Sequence, residues 1–177
     1  PNRNIAVLLR KKLLYICDMK NETLILVDNF DNALGEIEKM EAHKLGVLHR
    51  AFSVFILNSK NELLLQKRNI EKYHSGGLWT NTCCGHPRPD ETVENAAFRR
   101  LFEEMGFDCS LKKHFDFIYK ADFDNGLTEH EFDHVFIGYF DGIPLPNPIE
   151  VEDWKFVNYD WLINDVAMFP ERYTIWF

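Results

Sequence analysis

Two adjacent cysteines, a glycine and a histidine, Cys83-Cys84-Gly85-His86, lead within a few residues into a segment that reads as a helix and stops at Gly106. Pro89-Asp90 offers a side-chain acceptor at a helix start, Ala96 and Ala97 favour an interior, and Gly106 suits a C-terminal cap, which predicts a helix over 91–105. Arg99 and Glu103 are four residues apart, as are Arg100 and Glu104, so two guanidinium and two carboxylate groups share one side of that helix. At this spacing alone the four charges read as a solvated salt-bridge face. The thiol pair, the permissive glycine and the imidazole just upstream point instead to a site made by a loop and a helix.

A chain of 177 residues that is 46% hydrophobic can fill one core and bury roughly 70% of the surface its unfolded form exposes, so a single domain is expected. Its 15 Phe exceed what a minimal core needs, and they either thicken the core or line a pocket. A net charge of -8 argues against a nucleic-acid surface, which needs clustered cations. An anionic small ligand stays compatible, because a local group of Arg and Lys with a divalent ion outweighs the average charge. Four cysteines without a Cys-x-x-Cys pair fit a reducing, cytoplasmic setting, and Cys17 and Cys109, in apolar surroundings, read as small core residues. The apolar run 5–9 is cut off by Arg10-Lys11-Lys12, which leaves neither a membrane span nor a signal peptide. Residues 1–22 read as an extension, strand or helix, that packs over the domain or serves a weak dimer, and 23–177 as the domain itself.

Within 23–177 the pattern predicts a strand at 23–27, a hairpin of strands at 50–57 and 62–67 in the centre of a sheet, strands at 115–119 and 129–140, and a short strand at 155–159. Asp160 would cap a helix over 161–167. Glu129 and Glu131 alternate with His130 and point to one face of their strand, and the apolar continuation Val135-Phe136-Ile137 argues that this strand is not at an edge. Arg68 and Lys72 precede Gly76-Gly77, which suits an anion site or a plain solvated loop equally. His43 and His49, six residues apart, carry no zinc-like spacing of their own. The chain stops one residue after Trp176, in an apolar run, and a continuation past Phe177 is expected.

Gly85, Glu91, Arg99, Leu101, Glu103, Glu104, Gly106 and Phe107 fall into the register of the Nudix box, with one departure, Arg100 where the box has Glu. Trp79-Thr80-Asn81-Thr82-Cys83-Cys84-Gly85-His86-Pro87 and the set Tyr119, Glu129 and Glu131 complete a pattern that resembles the type 1 isopentenyl diphosphate isomerases. The resemblance implies an α/β (α+β) Nudix-type mixed β-sheet sandwich with flanking helices in a single domain. It also implies interconversion of isopentenyl and dimethylallyl diphosphate.

By that resemblance His43, His49, His86, Glu129 and Glu131 hold a divalent metal (Mn, Mg or Zn), while Glu104 and the Cys84 carbonyl hold Mg²⁺ with the diphosphate. Lys39, Arg68, Lys72 and Arg100 would bind the diphosphate, and Trp176 would stack over the cationic carbon skeleton. Cys84, Glu131 and Tyr119 would carry the proton transfers. A thiol beside cations and a metal would ionise more easily, whereas an apolar burial would do the reverse. The implied partner is a small isoprenoid diphosphate, with no nucleic acid or membrane, bound by a monomer or weak homodimer. A Nudix diphosphohydrolase and a non-catalytic diphosphate-binding module are the alternatives, and Arg100 argues against the first.

Overall fold

The computed structural model describes residues 22–177. The expectations for the N-terminal extension and for Cys17 lie outside the described residues. The elements are β1 (Thr23–Val27), β2 (Ala33–Glu38), α1 (Lys39–Leu45), β3 (His49–Leu57), β4 (Leu63–Arg68), β5 (Trp79–Thr80), β6 (Cys83–Gly85), α2 (Val93–Met105), β7 (Leu111–Asp122), β8 (Thr128–Tyr139), β9 (Val151–Val157) and α3 (Tyr159–Met168). They form a mixed β-sheet with flanking helices, as expected for a Nudix-type fold.

Strand β3 organises the sheet. It runs parallel to β8 from His49 opposite Glu131 to Leu57 opposite Tyr139, and β8 in turn pairs antiparallel with β7. With partners on both sides, β8 is the interior strand its apolar run predicted. The β3–β4 hairpin differs from expectation, because only Ile56–Leu64 and Leu57–Leu63 pair before the two strands part. Strand β6 takes the freed edge of β3, with Phe52, Ser53 and Val54 opposite Gly85, Cys84 and Cys83. Thr82 pins this fork: its hydroxyl accepts from Ile56 N–H at 3.0 Å and donates to the Leu64 carbonyl at 2.6 Å. The cysteine loop is thus wedged into the sheet, which a hairpin closed along its length would not allow.

Helix α2 begins two residues later than predicted. Thr92 is its cap, accepting from Asn95 N–H at 3.2 Å, while Asp90 takes a left-handed turn conformation with φ 64°. Gly106 ends it as expected, at φ 72° and with its N–H on the Phe102 carbonyl; a Cβ there would collide with the Leu145 carbonyl. Ala97, Leu101, Glu104 and Met105 make the buried stripe that faces the sheet. Ala97, Leu101 and Met105 pack with Phe52, Val54, Ile56, Cys83 and Phe136 in one core layer. Burying a side chain such as Phe136 contributes about 3 kcal/mol. A second layer, Leu63, Leu65, Val157, Leu162 and Tyr173, lies under α3. Cys109 packs against the first layer, as its surroundings predicted.

Two more boundaries moved. The predicted strand at 155–159 is the end of β9, and α3 starts at Tyr159 because Asn158, not Asp160, accepts from the Asp160 and Trp161 N–H groups. Helix α1 was not anticipated; seven residues are too few for a periodic signal, but the Glu38 side chain caps it and Gly46, at φ 62°, stops it. Among the described residues no helix is long and apolar enough to cross a membrane.

Candidate metal centre and anion pocket

The ends of α1, β3, β6 and β8 converge on five buried side chains, His43, His49, His86, Glu129 and Glu131, whose ligand atoms all lie within 4.8 Å of one another. Helix α1 delivers His43 from its last turn, and the parallel register places His49 directly beside Glu131. His43 Nδ1–H donates to the Lys39 carbonyl at 2.6 Å and His49 Nδ1–H to the Val47 carbonyl at 2.9 Å. A carbonyl only accepts, so in a neutral ring each Nε2 carries the lone pair, and both are buried without a hydrogen-bond partner. His43 Nε2 is 3.3 Å from Glu129 Oε2, His49 Nε2 is 3.6 Å from Glu131 Oε1, and His86 Nε2 is 2.9 Å from Glu131 Oε1. Oriented imidazole lone pairs facing two carboxylates are the donor set of a divalent cation, and the cluster fits one.

Beside the cluster an open cavity of about 300 Å³ is lined by Lys39, Arg68, Lys72, Cys84, Arg100, Glu104, Tyr119 and Trp176 among others. Six Arg and Lys side chains meet five Glu on its walls, so an acidic chain gathers cations at one cavity, the local group that the sequence left open. Arg68 reaches over the Trp176 ring at 5.3 Å, and its Nε is buried without a hydrogen-bond partner. Lys39 pairs with Glu22 at 2.7 Å, and Lys72 pairs with Glu150. Arg100 contacts Glu103 at 2.8 Å, Glu150 at 3.1 Å and Glu104. Burial opposes ionisation of Glu104, but Arg100 and Lys72 outweigh it and hold the carboxyl below its usual range. Its other oxygen accepts from Gln66 Nε2 at 2.8 Å.

Cys84 and its neighbour separate as alternation in β6 demands. Cys83 is fully buried in the core layer, and Cys84 lines the cavity. Gly85 permits this arrangement, since a Cβ there would sit 3.2 Å from Phe52 Cζ and 3.4 Å from Arg100 Cγ. Asn81 clamps the loop, its amide donating to the Cys83 carbonyl at 2.7 Å and the Val54 carbonyl at 3.3 Å. Of the two opposed expectations for the Cys84 thiol, burial prevails: it pushes the pKa up to about 12, with Arg68 pulling down and Glu104, Glu131 and Asp133 adding to the rise. Tyr119 donates to Glu131 Oε2 at 2.6 Å, and burial together with that carboxylate keeps its phenol protonated. Trp176 is docked by its own indole N–H, which donates to Thr80 Oγ1 at 3.1 Å, and by the Thr174 N–H on the Trp79 carbonyl.

Every side chain the sequence assigned to the site lies on the cluster or the cavity wall. Arg99 and Glu103 also border it, but Arg99 makes a bidentate pair with Glu91, at 2.7 and 2.8 Å, that ties the loop to α2. Sequence reasoning missed His74, whose Nε2 lies 2.9 Å from Glu129 Oε1, and the pair Ser53–Asp133 at 2.7 Å. A histidine among turn residues gives no such signal; Asp133 could have been found as the next same-face position after Glu129 and Glu131.

A family model, described as the NUDIX domain, matches residues 47–177. The chain is 56% identical over 155 residues to Isopentenyl-diphosphate Delta-isomerase 2 of Aromatoleum aromaticum, covering 88% of this chain and 82% of that protein. It is 55% identical over 157 residues to Isopentenyl-diphosphate Delta-isomerase 2 of Photorhabdus laumondii subsp. laumondii, covering 89% of each. The solved structure of DR0079 from Deinococcus radiodurans superposes with a TM-score of 0.70 at 22% identity over 83% of this chain and 90% of that one, a likeness of fold. These matches correct the type 1 designation drawn from the loop and the box: they give the isopentenyl-diphosphate Delta-isomerase family with a NUDIX domain, and the designation is not retained.

Proposed function

The chain belongs to the isopentenyl-diphosphate Delta-isomerase family and has its NUDIX domain over residues 47–177, and from that premise we propose that it interconverts isopentenyl and dimethylallyl diphosphate. The observation that carries the proposal is the convergence of Cys84, the Tyr119–Glu131 pair, a set of cations and Trp176 on one cavity beside the His and Glu cluster. Moving the double bond requires a proton added to the terminal alkene carbon and another removed from the carbon on the far side of the developing cation. Glu131, hydrogen-bonded to Tyr119, and Cys84 are the two groups for those transfers.

Lys39, Arg68, Lys72 and Arg100 hold the diphosphate, and the guanidinium groups suit paired oxygen contacts. The indole of Trp176 offers its face to the positive carbon. His43, His49, His86, Glu129 and Glu131 would hold one divalent ion, and Glu104 with the Cys84 carbonyl would meet the Mg²⁺ of the substrate complex. The bound ion supplies charge that polarises the Glu131 carboxyl.

Arg100 at the box position weighs against hydrolysis, since it brings a cation to the diphosphate where a carboxylate would recruit another metal. Incubation with isopentenyl diphosphate and Mg²⁺ in D₂O tests the proposal. The expected product is dimethylallyl diphosphate carrying solvent deuterium. Unlabelled, intact substrate would sink the proposal, and phosphate release without isomerisation would transfer the site to the hydrolases.

A further inference from the structure

The loop joining β4 to β5 brings a buried histidine to the metal centre from outside the five-residue cluster. His74 is 7% exposed, and its Nε2 lies 2.9 Å from Glu129 Oε1, the oxygen opposite the one that His43 approaches. Its ring lies flat on Phe123, with centroids 4.8 Å apart and planes at 14°. It also meets Trp176 edge-on at 5.6 Å and Tyr73 edge-on at 4.3 Å. The His74 carbonyl accepts from Arg68 Nη2 at 3.3 Å, and that guanidinium lies over the same indole. One residue therefore touches a metal-facing carboxylate, the indole wall and a pocket cation.

The slot has aromatic rings on three sides, and the Nδ1 edge of the imidazole meets Ser75 Oγ at 3.3 Å. A ring nitrogen in such a slot loses its water and needs a partner to compensate. The carboxylate facing it is Glu129, whose Oε1 lies 2.9 Å from Nε2 in a close contact without hydrogen-bond geometry. Carboxylates that bind metals are oriented by such outer contacts, and loss of one weakens metal binding. We propose that His74 is a positioning residue that holds the Glu129 carboxylate in its metal-binding orientation and ties that ligand, through its ring, to the Trp176 wall of the cavity. The proposal rests on Glu129 as a ligand and not on the isomerase reaction, so either can fail alone.

The test adds Mn²⁺ to the metal-free chain and follows, by calorimetry, the binding step that Glu129→Gln removes. His74→Phe keeps an aromatic ring and loses both ring nitrogens, and is expected to weaken that step by about 10- to 100-fold. His74→Gln, which restores a side-chain donor, is expected to recover part of the loss. A loss under about tenfold in His74→Phe, or a His74→Gln variant that binds no better than His74→Phe, overturns the proposal. If His74→Phe fails to fold, His74→Leu is compared with His74→Gln on the same criteria. The emission of Trp176, taken as the difference between the chain and Trp176→Phe, is expected to change as Mn²⁺ binds and to lose that change in His74→Phe. No change in the unsubstituted chain, or a change that survives in His74→Phe, overturns the tie to Trp176.

Discussion

The two faces of strands β3, β6 and β8 are built from alternate residues of the same segments and do opposite things. Toward α2 they present Phe52, Val54, Ile56, Cys83 and Phe136, an apolar layer without a charge. Toward the cavity they present His49, Ser53, Cys84, Glu129 and Glu131, polar groups withdrawn from water and held by one another. Burial stabilises the first face and opposes the second, because ionisable groups out of water cost free energy unless each finds a partner. A buried polar face of this kind is carried by a fold whose stability is generated one residue away in sequence.

The adjacent cysteines test that division most severely. Cys84→Ser is expected to lower isomerisation at least 1,000-fold, about 4 kcal/mol, while Cys83→Ser retains most of the activity and lowers the melting temperature. Equal losses of activity in an assay with isopentenyl diphosphate would mean that the two faces are not functionally separate. Next in size, Phe136→Ala is expected to cost about 3–5 kcal/mol in denaturant unfolding and to leave Mn²⁺ affinity nearly unchanged while the chain stays folded. Loss of affinity in parallel with stability would join the faces energetically.

The smallest effect concerns Glu91, at the junction between loop and helix. Burial opposes its ionisation, but the Arg99 side chain and the Arg88 N–H prevail and hold it below its usual range. A depressed folded pKa gives stability that is present above the ordinary Glu value of about 4.3 and is lost as pH falls through the folded value. Glu91→Gln is accordingly expected to cost about 1 kcal/mol at pH 7, after allowance for solvent screening of a half-buried pair, and progressively less at acid pH. A cost that does not vary with pH would assign the effect to shape rather than charge.

Much of this was legible in the chain. The glycine stop at 106, the same-face carboxylates Glu129 and Glu131, and the inward path of β8 each follow from local rules of cap, alternation and apolar run. Boundaries were less legible: Thr92 and Asn158 displaced Asp90 and Asp160 as caps, because several polar residues in a row compete and only the backbone angles choose among them. The short helix α1, which delivers His43, gave no periodic signal.

Resemblance joined the five side chains of the cluster before any geometry did, and their convergence depends on contacts across the chain. His49 meets Glu131 through a parallel pairing between strands some eighty residues apart, and the fork between β3 and β4 is what admits the cysteine loop. The same holds for the thiol of Cys84. Cations and a metal beside it would lower its pKa and apolar burial would raise it, and the depth at which the fork places it made burial the larger effect. Alternation, capping and composition are properties of neighbouring residues, so the sequence by itself determined the elements and which side chains share a strand face. Which faces meet, how deeply they lie, and that His74 reaches Glu129 were decided by the tertiary structure, because long-range pairing and solvent exclusion exist only once the sheet has closed.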